Sequence, residues 1–138
     1  MNEKPRALLG TVNPDREKEL TSALEGEGYD VTKARSVQAM LDSMDILSSP
    51  PDSPPRRRFK WYIMDANLGL PGDGTYFPAQ TIYQHVKSQV EQGLSNFMAL
   101  TGREDVLRKV REKGMPCVLY VPDKPDLTEL VGMIRQSQ

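Results

Sequence analysis

The sequence predicts an α/β protein in which a five-stranded parallel sheet is covered by helices on both faces. Three observations carry that prediction. Short apolar runs of strand length alternate five times with segments whose apolar residues recur at helical spacing. The loops joining most of them are short, as crossover units of a parallel sheet require. The compact run Trp61-Tyr62-Ile63-Met64, bounded downstream by glycines and a proline, reads as a buried strand entering a loop.

Each element has a local reason. Ala7 to Val12 is the first apolar run, after which Pro14 and Asp15 open a polar helix with Leu20, Ala23 and Leu24 on one face. Gly26 and Gly28 supply stops, and Tyr29 to Ala34 forms a second strand. Ser36 is the expected N-cap of a helix carrying Val37, Met40, Leu41 and Met44 on one side. Residues 48–58 hold four of the eleven prolines, followed by Arg56-Arg57-Arg58, and are expected to form an extended loop. The third strand ends at Asp65. Pro78 suits the first turn of a helix striped by Ala79, Ile82, Val86 and Val90. Asn96 to Leu100 is a fourth strand ending at Thr101, and Val106, Leu107 and Val110 mark a helix that Gly114 terminates. Cys117 to Val121 is the fifth strand. Asp126-Leu127-Thr128-Glu129, an Asp-x-x-Glu variant of the capping box, starts the last helix ahead of Leu130, Val131 and Ile134. No segment repeats, so residues 1–138 are expected to be one domain.

Composition narrows the function. With 138 residues, 38% hydrophobic, 27% charged and a net charge of -1, the chain has no bulk attraction to nucleic acid or an anionic membrane. One cysteine, Cys117, excludes a disulfide framework within the chain, and one histidine, His85, argues against a His-rich metal site. The first residues lack the apolar core of a signal peptide and no run reaches membrane-spanning length, so a cytoplasmic location is expected.

In a parallel sheet the carboxyl ends of all strands share one edge, where ligands bind. Those ends carry Thr11 and Val12, Asp65, Thr101 and, beyond the fifth strand, Lys124. Taken alone, Asp65 is a nucleophile, a metal ligand or a loop cap. Together, an Asp, a Thr and a Lys suit phosphoryl chemistry: a carboxylate attacks phosphorus, while a hydroxyl and an ammonium bind the oxygens over which charge spreads.

Asp65 with its Pro/Gly-rich loop, Thr101-Gly102 and Lys124-Pro125, in this order, resemble the receiver domain of response regulators over nearly the whole chain, Ala7 to Ile134. The resemblance implies a flavodoxin-like sheet in strand order 2-1-3-4-5. It further implies that Asp65 is the phospho-acceptor, Thr101 the hydroxyl that follows the phosphoryl group and Lys124 the lysine of the site. Asp65 and the backbone carbonyl of Asn67 become the candidate metal ligands. The family's adjacent acids after strand one are replaced by Thr11 and Val12, which leaves Mg²⁺ binding weak or absent and no other cofactor implied. Lys124 is then expected to pair with Asp65 in the metal's absence. The loop after Asp65 and the segment from Gly114 to Lys124 are also longer than the family's.

Other residues have ordinary readings. Tyr120 is either the family's switching aromatic or a half-buried strand-end tyrosine. His85 is expected on a helix flank, Cys117 in the core, and Asp15 and Glu17 in solvent at a helix start. Arg56-Arg57-Arg58 with Lys60 and Trp61 interleave basic and aromatic residues as a nucleic-acid surface would, but overall neutrality favours a solvated loop. The leading expectation is a two-component or phosphorelay signalling module that acts through protein contacts on the Asp105–Ile134 face. Its partners would be a histidine kinase, a phosphotransfer protein or a downstream effector, with a homodimer left open and no nucleic acid or membrane involved. The alternative is a working receiver phosphorylated on Asp65 that dephosphorylates itself. A third reading is an unrelated flavodoxin-like ligand binder.

Overall fold

The computed structural model describes residues 4–45, 58–68, 76–119 and 128–136. Along the chain run β1 (Arg6–Gly10), α1 (Pro14–Gly26), β2 (Asp30–Ala34), α2 (Val37–Ser43) and β3 (Trp61–Asp65). They are followed by α3 (Phe77–Glu91), β4 (Asn96–Thr101), α4 (Glu104–Glu112), β5 (Cys117–Leu119) and α5 (Thr128–Gln136). The strands form one sheet in the order β2-β1-β3-β4-β5, every neighbouring pair parallel. This is the expected architecture. The expected loop over 48–58 as far as residue 57, with Tyr120, Val121, Lys124 and the Asp126 cap, lies outside the described residues.

Period-two alternation along the strands divides the core into two faces. Leu8, Tyr62, Met64, Phe97 and Ala99 pack with Met40 of α2, Ile82 and Val86 of α3, and Val106 and Val110 of α4. Their chain neighbours Ala7, Leu9, Trp61, Ile63, Met98 and Leu100 pack on the other face with Leu20 and Leu24 of α1 and Leu130 and Ile134 of α5. All five residues of β3 are buried, as the central strand of a sheet covered on both sides should be.

Local signals set the helix ends. Asn13, outside the helix predicted to open at Pro14, is the N-cap of α1: its side-chain oxygen accepts from the backbone N–H groups of Asp15 at 3.0 Å and Arg16 at 3.1 Å. Ser36 caps α2 as expected, accepting from Ala39 N–H at 3.0 Å. Gly114 follows α4 with φ +81°, a left-handed conformation that a side chain would disfavour.

Two expectations need correction. β1 leaves the ladder after Gly10, so Thr11 and Val12 belong to the loop, with Val12 51% exposed. His85 is buried at 7% exposure rather than on the flank of α3, because it sits beside the Ile82 and Val86 stripe against the sheet. Trp61 lies in the α1/α5 core and offers no stacking surface to a nucleic-acid base. Cys117 is buried as expected, and its burial pushes the thiol up to about 11. No helix among the described residues is long and apolar enough to cross a membrane.

Candidate functional site at the carboxyl edge of the sheet

The site is assembled from the ends of three central strands. Asp65 closes β3 opposite Leu100 of β4, and Ala66 N–H donates to the Leu100 carbonyl at 2.8 Å, so Thr101 begins where Asp65 ends. On the other side, Gly10 pairs with Met64, which brings Thr11 level with Asp65. Strand alternation sends Asp65 to the same face as Trp61 and Ile63, the face covered by α1.

Both oxygens of the Asp65 carboxylate are engaged. The Thr11 hydroxyl donates to Oδ2 at 2.7 Å, and the Arg16 guanidinium donates through Nη1 to Oδ1. This Arg16–Asp65 ion pair is enclosed, with side-chain exposures of 11% and 5%. The same turn supports both donors. Thr11 Oγ1 accepts from Asn13 N–H at 3.2 Å, and Asn13 in turn holds the backbone N–H of Arg16.

Thr101 is buried at the end of β4, and its hydroxyl accepts from Arg103 N–H at 3.2 Å. Arg103 clamps Asp105 with two hydrogen bonds, at 2.9 and 2.7 Å, and these hold the Asp105 carboxyl below the usual carboxylate range. Arg16, Asn67, Leu100, Thr101, Gly102 and Arg103 surround a cavity of ≈ 200 Å³ at this edge.

Of the residues named from sequence, Asn67 and Thr101 line this cavity, together with Arg16, the ion-pair partner of Asp65. Lys124 lies outside the described residues. Among the described residues the cation that meets Asp65 is Arg16, which the sequence did not single out. A signal was available. Arg16 stands in the first turn of α1, at the positive end of the helix dipole, where a cation is disfavoured unless a nearby anion compensates it.

Among the described residues the donor set does not fit Mg²⁺. That ion requires near-octahedral oxygen coordination at short distance and is normally held by carboxylates. Val12 supplies no ligand, Thr11 has committed its hydroxyl proton to Asp65, and Asp65 already accepts from two donors. Among the described residues no three His, Cys, Asp or Glu side chains gather as a metal cluster would need.

In solved structures the fold resembles that of receiver domains. The receiver domain of HemR from Leptospira biflexa is 19% identical, with a TM-score of 0.63 over 97% of this chain and 94% of that one. A CheY-like receiver protein from Methanospirillum hungatei is 15% identical, with a TM-score of 0.65 over 97% and 93%. The receiver domain of a Pseudomonas aeruginosa sensor histidine kinase, solved with magnesium coordinated in its active-site cleft, is 18% identical, with a TM-score of 0.62 over 97% of both chains. No protein-family model matches the chain, and no curated protein matches its sequence. The fold is thus the CheY-like receiver fold.

Proposed function

We propose that the chain is a receiver-like signalling module in a two-component or phosphorelay pathway, working through protein contacts without Mg²⁺-dependent phosphorylation of Asp65. The observation that carries this reading is the Thr11–Asp65 hydrogen bond, made by the residue that stands where receivers carry an acid. An incoming phosphoryl dianion beside a carboxylate needs positive charge, which in receivers a bound metal delivers. Here Asp65 is held by Thr11 and Arg16, and the two positions that would hold the metal are a hydroxyl and a valine. Each ~1.4 kcal/mol added to the transfer barrier slows labelling about tenfold.

The working face is α4, β5 and α5, Asp105 to Ile134, by analogy with receivers. A groove of ≈ 520 Å³ between Leu107, Arg108, Arg111 and the half-exposed Leu119 supports it as a place for a protein partner. A histidine kinase, a phosphotransfer protein or a downstream effector is the kind of partner this implies. One observation favours the second reading, a receiver phosphorylated on Asp65: Asp65 and Thr101 do end adjacent strands at one edge.

Incubation with acetyl phosphate, with and without millimolar Mg²⁺, tests the reading by intact mass. Amide NMR around Asp65 and Thr101 with beryllofluoride gives a second readout. The expected result is no added phosphoryl mass and no Mg²⁺-dependent shift. Rapid Mg²⁺-dependent labelling that Asp65→Asn abolishes would establish the phosphorylating receiver instead.

A further inference from the structure

We propose that Arg16 is a tethered cation that occupies the metal's electrostatic role, holding Asp65 in position and excluding divalent ions from the site. The proposal rests on the reading of a receiver that works without Mg²⁺, and assigns the residue that enforces it.

The geometry is specific to one turn of chain. Thr11, Asn13 and Arg16 form a continuous relay: Thr11 Oγ1 takes the Asn13 N–H, and Asn13 Oδ1 takes the Arg16 N–H. The two ends of that relay donate to the two different oxygens of Asp65. A carboxylate held by two donors from one capped turn has fixed orientation as well as compensated charge. A guanidinium brings its positive charge in a planar fork that matches a carboxylate. It is also covalently attached, and so competes with dissolved cations at high local concentration.

The consequence extends beyond the missing acids. A divalent ion approaching Asp65 meets a like charge already seated there, and binding requires the guanidinium to leave. Returning an acid at position 11 is therefore insufficient while Arg16 stays seated on Asp65, because its charge still opposes a divalent ion there. Arg16 acts on Asp65 and touches no substrate; it is a positioning residue.

Mn²⁺ binding, followed by loss of the free-ion EPR signal, tests this in the whole chain. The variants are Thr11→Asp, Thr11→Asp with Arg16→Gln, and Thr11→Asp with Arg16→Lys. The Gln double variant is expected to bind Mn²⁺ about tenfold or more tighter than Thr11→Asp, while the Lys double variant stays close to Thr11→Asp. Equal affinities for Thr11→Asp and the Gln double variant would overturn the proposal. A second measurement needs no substitution. NMR of arginine side chains in the unaltered protein should show hindered rotation of the Arg16 guanidinium and fast rotation of the exposed Arg108. Free rotation at Arg16 would also overturn the proposal. Mg²⁺-dependent labelling of the unaltered protein is a separate outcome that removes the preceding functional reading. Failure of the Arg16 assignment alone leaves that reading standing.

Discussion

Thr11 and Asp65, 54 positions apart, share a buried hydrogen bond of 2.7 Å in which the threonine hydroxyl donates to the carboxylate. A second carboxylate at position 11 could not make that contact without protonation, because two ionised carboxylates repel at this distance. With a threonine at position 11 the pocket thus pairs the negative charge of Asp65 internally, where an acid would add a second one.

Removing the Thr11 hydroxyl should be measurable as stability. Thr11→Val keeps the shape but leaves Asp65 Oδ2 and the Asn13 N–H each short of a partner. A loss of about 1–3 kcal/mol is expected from urea unfolding. Thr11→Ser, which keeps the hydroxyl, should retain most of it. Equal losses for the two variants would show that the methyl group, and not the hydrogen bond, matters.

The Arg16–Asp65 pair should behave as an enclosed ion pair. Arg16→Met strands a carboxylate that is 5% exposed, and should cost about 3–5 kcal/mol. Adding Asp65→Leu to Arg16→Met removes the stranded charge and should recover much of that loss. A double-mutant cycle is expected to give a coupling of at least ~1 kcal/mol. Additive losses would mean that the two side chains do not interact in solution.

Gly10 tests the packing beneath the site. A Cβ at this position would stand 2.5 Å from Met40 Sδ and 3.0 Å from a methyl of Leu68, so one of them must shift. Gly10→Ala should therefore destabilise the protein by about 1–3 kcal/mol, as overpacked cores do. Met40→Ala in the same chain should make that substitution less costly. An unchanged melting temperature for Gly10→Ala would show that the α2 side of the core is loosely filled.

Cys117 sets a pH dependence at the alkaline end. Burial favours the neutral thiol and raises it from a usual value near 9 to about 11. Below the unfolded value both states hold the proton, and the full contribution of Cys117 to stability is present. Between the two values the unfolded chain releases its proton first, so stability falls as pH rises toward 11. Urea midpoints for the protein and for Cys117→Ala across this range should converge as pH rises. Native Cys117 should also react with thiol reagents only slowly at pH 8.

Much of the fold was legible because its signals are local. The apolar runs of β1, β3 and β4, the Ser36 cap, Pro78 in the first turn of α3 and Gly114 after α4 each reflect an interaction within a few residues of chain. The convergence of Asp65 and Thr101 was legible for a similar reason. Parallel strands put their carboxyl ends on one edge whatever fills the space between them.

Tertiary structure decided who would meet Asp65. The sequence marked Lys124, which lies outside the described residues, and did not mark Arg16, which stands 49 residues before Asp65 and makes the described contact. That choice depends on three things that no local pattern contains. β1 must end at Gly10, Asn13 must cap α1 so that Arg16 falls in its first turn, and strand alternation must turn Asp65 toward α1 and away from α3. His85 shows the same limit from the other side: its helix was predicted, yet only the docking of α3 on the sheet determined that this position is covered. Propensity and periodicity act between neighbours in sequence, whereas the compensation of a buried charge is settled by whichever donor the packed helices deliver.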